Sequence, residues 1–73
     1  MSSFVTRARH GDVTVAYDSS LPPLQQFTVR GLGGRIVCLR SPYNEAHRAL
    51  VRECGLSKAE ASRLLDKAVG ADA

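Results

Sequence analysis

Ser41-Pro42-Tyr43-Asn44-Glu45-Ala46 is the stretch at which the hydrophobic period of this chain changes. Downstream of it, Ala46, Leu50 and Cys54 recur at the four-residue interval that puts side chains on one helical face. Ser41 carries the hydroxyl of a helix cap, and Pro42 suits the first helical position, where no N–H is needed. Upstream of it the period is two. Val13, Val15 and Tyr17 alternate with Thr14, Ala16 and Asp18, the pattern of a half-buried strand, and Phe4-Val5-Thr6-Arg7-Ala8-Arg9 alternates more weakly.

Working outward, His10-Gly11-Asp12 has the chemistry of a tight turn, which makes the first strands a hairpin, the alternative being a loose arm followed by one strand. Asp18-Ser19-Ser20-Leu21-Pro22-Pro23 breaks the pattern, because two prolines cannot donate to a ladder. Residues 25–30 and 35–40 then form a second alternating pair across Gly31-Leu32-Gly33-Gly34. Phe27 and Val29 share a face, and either Val37 and Leu39 or Ile36 and Cys38 face the same core. A one-residue slip exchanges those two sets, so register stays open.

On the helical side, Gly55 closes the first helix. Ser57 and Glu60 have the spacing of a capping box, Leu56 is placed to staple against Ala61, and Ala61, Leu64, Leu65 and Ala68 form a buried stripe that ends at Gly70. The expected fold class is α+β. An antiparallel sheet of three to four strands, made of two hairpins within residues 4–40, precedes two short helices within residues 42–69 packed on one face. Residues 1–73 read as one small domain.

The 73 residues are 44% apolar and 23% charged, with ten Lys and Arg against seven Asp and Glu. A chain of this size nets about 3–5 kcal/mol from its core, so a partner or a homodimer is compatible with its length. The charge is unevenly placed. Residues 1–41 hold Arg7, Arg9, Arg30, Arg35 and Arg40 against Asp12 and Asp18, which is the whole net +3, whereas residues 42–73 are neutral. The start lacks a basic segment followed by an apolar one, and no apolar run reaches the ~20 residues of a membrane span. A cytoplasmic protein with no membrane contact is expected.

Catalytic and cofactor chemistry finds no footing. Cys38, Cys54, His10 and His47 do not arrive at the close spacing of a structural zinc site, so the cysteines read as reduced, buried small hydrophobes. The glycines at 31, 33 and 34 are followed by a strand and not by the helix that a phosphate loop requires. Cys38 with His47, or Ser41 with His47 and Glu45, offers no nucleophile elbow and no oxyanion hole. Glu45 with Arg48 and Glu60 with Arg63 are spaced as ion pairs along helices. No enzyme, metal or cofactor is expected.

Residues 48–65, from Arg48-Ala49-Leu50-Val51 through Gly55-Leu56-Ser57 to Arg63-Leu64-Leu65, resemble the helix-turn-helix of bacterial repressors. That resemblance implies DNA contact by Ser57, Lys58, Ser62, Arg63 and Lys67, although Val51 is bulkier than the small residue the family has at the helix crossing. The segment Gly55-Leu56-x-x-x-Glu60-Ala61-x-x-Leu64-Leu65 is also similar to the helical hairpin of the ribosomal stalk protein C-terminal domain, which implies a protein-contacting corner. In size and format the chain is similar to small inhibitors encoded by phages and mobile elements, anti-CRISPR proteins among them. The expectation is a non-catalytic protein that occupies an acidic site on a protein or nucleoprotein partner through Arg7, Arg9, Arg30, Arg35 and Arg40. The alternative is a dimeric DNA-binding regulator.

Overall fold

Alternation and turn chemistry close the first hairpin as expected. In the computed structural model, which describes residues 5–70, β1 (Val5–His10) pairs antiparallel with β2 (Val13–Asp18). The ladder runs unbroken from Val5 opposite Asp18 to His10 opposite Val13. His10 belongs to the strand, so the turn itself is Gly11-Asp12, with Gly11 at φ 61°. Phe4, which the sequence assigns to this strand, lies outside the described residues. At the far end, the Asp18 carboxylate accepts from the Ser20 N–H (2.9 Å) and hydroxyl (2.6 Å), starting the loop that a 3-10 turn at Pro23–Gln25 completes.

The second hairpin is irregular. Strand β3 (Phe27–Arg30) pairs with β2 and with β4 (Ile36–Ser41), giving a four-stranded antiparallel meander in the order β1-β2-β3-β4. Phe27 lies opposite Ser41, Val29 opposite Cys38 and Arg30 opposite Ile36, so β4 spends two more residues than β3 on the same length of ladder. These are β-bulges. Because of them the consecutive residues Val37 and Cys38 both pack against the core, while Ile36 and Leu39 are 46% and 57% exposed. Neither face offered by strict alternation is the one used. Arg40, inside the bulged segment, adopts φ 46°, a left-handed conformation that L side chains disfavour.

One sequence assignment is corrected at the sheet-to-helix junction. Ser41 is the last residue of β4 and buried; its hydroxyl donates to the Leu39 carbonyl (3.1 Å) and accepts from the Cys38 thiol (2.8 Å). That hydroxyl is committed to the bulge and does not cap a helix. Pro42 takes the cap position, with no side-chain hydrogen bond, and α1 runs over Tyr43–Arg52. Past its end, Gly55 at φ 72° turns the chain so that the Leu56 N–H reaches the Leu50 carbonyl (3.1 Å).

Helix α2 (Lys58–Val69) opens with both halves of the capping box: the Glu60 N–H donates to the Ser57 hydroxyl (3.1 Å), and the Ser57 N–H donates to the Glu60 carboxylate (3.0 Å). Its buried residues are Ala61, Leu64, Leu65 and Ala68, and the Gly70 N–H caps the end on Asp66 and Lys67. Both helices lie on one sheet face, α2 against β1 and β2, α1 against β3 and β4. There Ala46 and Leu50 of α1, Leu56 of the connection and the α2 stripe enclose Val15, Phe27 and Val29. Full burial of a side chain such as Leu50 or Leu65 contributes about 1.5–3 kcal/mol.

Candidate binding surface

Cross-strand pairing decides which side chains share the uncovered face, because directly opposed residues point the same way. Ala8, Val15 and Val29 form one row toward the helices, and Thr6, Tyr17 and Phe27 another. The alternate rows therefore point away from the helices. One is Arg9, Thr14 and Arg30; the next is Arg7, Ala16 and Thr28. Arg9 and Arg30 are two strands apart, about 10 Å across Thr14.

Three of the five expected arginines are thus brought together. The Arg9 Nε donates to the Gly11 carbonyl (2.9 Å) and an Arg30 Nη to the Gly34 carbonyl (3.3 Å), which orients each toward its own hairpin tip. The Arg7 side chain makes no hydrogen bond or ion pair with the described residues. The other two are sent elsewhere. Arg35 follows the 3-10 turn at Leu32–Gly34 and lines a cleft on the helix side of the sheet. Arg40 lies at the opposite end of the sheet, its N–H donating to Thr28 Oγ1 (3.3 Å). Its charge adds to the two Ser20 hydrogen bonds that hold the Asp18 carboxyl below its ordinary range.

The sequence did not single out Ile36 and Leu39 as surface residues; both are exposed on β4, and Ile36 lies opposite Arg30 and borders the cleft that Arg35 lines. Their signal was present: Ile36-Val37-Cys38-Leu39 is a continuous apolar run beside a helix-covered sheet, more than one buried face can take. Aromatic side chains are spent elsewhere. Tyr17 packs on Phe27 (centroids 5.2 Å), Phe27 meets Tyr43 edge-on (5.7 Å), and Tyr43 stacks on His47 (6.3 Å), a chain that ties the sheet to α1. Among the described residues the open face carries no exposed rings on which nucleobases stack.

The residues of the helix-turn-helix reading are divided by the fold. Ser57 is engaged as the cap, Ser62 is half-buried, and Lys58, Arg63 and Lys67 are exposed on α2. The expected helical ion pairs are replaced: Glu60 stands 3.7 Å from His10 Nε2, and among the described residues no ion pair joins Glu45 to Arg48 or Glu60 to Arg63. The Ser57 hydrogen bonds lower the Glu60 carboxyl, with smaller help from the His10 and Arg63 charges.

The cleft lined by Arg35 measures about 680 Å³ and lies between the hairpin tips and the C-terminal end of α1, with His10, Asp12, Glu53 and Cys54 around it. Burial pushes the Cys54 thiol up, helped by the Glu53 charge. Among the described residues no three His, Cys, Asp or Glu side chains converge as a metal site would require. Cys38 and Cys54 are free and half-buried. No helix among the described residues is long and apolar enough to cross a membrane. No protein-family model, curated protein or solved structure matches this chain, so the chemistry of its surface is read from its own residues.

Proposed function

We propose that this protein is a non-catalytic binding module that occupies an acidic site on a larger protein or nucleoprotein partner through the open face of its sheet. The observation that carries the reading is the grouping of Arg7, Arg9 and Arg30 around the small residues Thr14, Ala16 and Thr28, with exposed Ile36 opposite Arg30. Arginine anchors next to apolar area are the composition favoured at the centre of protein interfaces. Arg35 and Arg40 act at the margins, one at each end of the sheet. Inhibition by steric exclusion, in the manner of small phage or mobile-element inhibitors such as anti-CRISPR proteins acting in a host cytoplasm, is the task this format suits.

The test is charge reversal. Arg7→Glu with Arg30→Glu is expected to weaken binding to a partner purified from the native host at least about a hundredfold, the cost of losing two hot-spot side chains. The melting temperature stays within a few degrees, because both side chains are exposed. Unchanged affinity in a folded double variant overturns the assignment.

A further inference from the structure

The helical half is neutral overall and uneven in detail. Asn44, Arg48 and Arg52 succeed one another at four-residue intervals along α1, a row about 12 Å long at the helical rise. With His47, Val51 and Lys58 they line a groove of about 320 Å³ where α1 meets the start of α2. His47 Nε2 lies 3.1 Å from the Lys58 carbonyl, which fixes the two walls against each other. No carboxylate of the described residues stands within ion-pair distance of Arg48, Arg52 or Lys58.

This concentration of charge works against the fold. Lys58 is the first residue of α2, where the helix dipole disfavours a cation, and it shares the groove with two arginines and no counter-charge. Dipole complementarity accounts for Arg52, in the last turn of α1, and leaves Arg48 and Lys58 unexplained. A row of donors a turn apart suits a linear polyanion better than a single ion. Of the six residues lining the groove three are cationic and Val51 alone is an apolar residue, so charge and not an apolar anchor sets what it recognises, as at a nucleic-acid interface. We infer that this groove binds the phosphodiester backbone of nucleic acid without regard to sequence, through Arg48, Arg52 and Lys58 with Asn44 as a neutral donor.

This site is separate from the open sheet face and from the outer side of α2 where Arg63 and Lys67 lie, so its success or failure leaves the proposed function standing. The experiment is fluorescence anisotropy of the full chain with labelled oligonucleotides of scrambled sequence, single-stranded and duplex, over a salt series. Binding is expected at low salt and to weaken steeply as salt rises. In Arg48→Glu/Arg52→Glu the affinity falls at least about tenfold, and the slope of log affinity against log salt shrinks by about 2. The neutral pair Arg48→Gln/Arg52→Gln gives a smaller loss in the same direction, with circular dichroism confirming the fold. Arg7→Glu/Arg30→Glu binds as the parent does. Three results overturn the inference: no binding at low salt, loss through Arg63→Ala/Lys67→Ala but not through the α1 pair, or displacement by polyglutamate as effective as by unlabelled oligonucleotide.

Discussion

The two hairpins of the sheet follow different rules. The first has strands of equal length, one residue opposite one residue throughout, and a two-residue turn with glycine where the positive φ falls. The second sets four residues of β3 against six of β4, shifts register twice and places an arginine in the left-handed region. The regular hairpin supplies rows that point cleanly inward or outward, and it carries Arg7 and Arg9. The irregular one lets two consecutive residues enter the core and turns Ile36 and Leu39 out. Regularity here organises the charged face, and irregularity builds its apolar border while breaking up an edge that could otherwise pair with another chain.

The sharpest way to break this contrast is in the core. Val15 in β2 is fully buried, so Val15→Ala is expected to cost about 2 kcal/mol in urea denaturation, a large part of what so small a domain has. Val37 in β4 is only half-buried, and Val37→Ala is expected to cost less than about 1 kcal/mol. Equal losses would mean that the bulged strand supports the core as fully as the regular one.

Smaller effects of opposite sign come from two of the residues at positive φ, one in each hairpin. Gly11→Ala meets no steric neighbour and still loses about 1 kcal/mol, because the backbone itself resists a Cβ at φ 61°. Arg40→Gly relieves a conformation costing about 1–2 kcal/mol and gives back about 0.5–1 in chain entropy, for a net gain of about 0.5 kcal/mol. Thermal melts check both. A destabilised Arg40→Gly would show that the left-handed turn is held by its side chain and not endured by its backbone.

The smallest effect extends the comparison to α2, whose start is as regular as the Gly11 turn. The Glu60 carboxyl titrates below its ordinary value of 4.5 in the folded protein, so it stabilises above that pH, and the contribution is lost as pH falls through the lowered value. Glu60→Gln is expected to remove this acid-sensitive component, leaving a shallower decline of melting temperature with acidification. An unaltered profile would assign the acid sensitivity to Asp18 or another carboxylate.

What was legible in the sequence divides along the same line. The α2 cap, its buried stripe and the first hairpin depend on residues within a few positions of one another, so spacing determines them. Helix α1 was legible except for its start, because the Ser41 hydroxyl is claimed by Leu39 and Cys38 within the bulge, a bond that spacing does not announce. The positive character of the strand half was plain. Its distribution was not: Arg9 and Arg30 become neighbours across Thr14 only through the pairing of three strands, and Arg35 and Arg40 leave the group through a turn and a bulge. The α1 groove was hidden by arithmetic, since a neutral total conceals the row of Asn44, Arg48 and Arg52.

The placement of α2 along β1 has a consequence for how the protein is made. The hydroxyl of Thr6, in the first strand, bonds the carbonyl of Ala68, in the last turn of the last helix. The two residues are 62 positions apart in the chain, so β1 is sealed by a helix made well after it. The core has no closed form until α2 has joined the sheet, so a chain stalled or truncated before Lys58 displays the apolar side of its sheet to any chaperone or protease nearby.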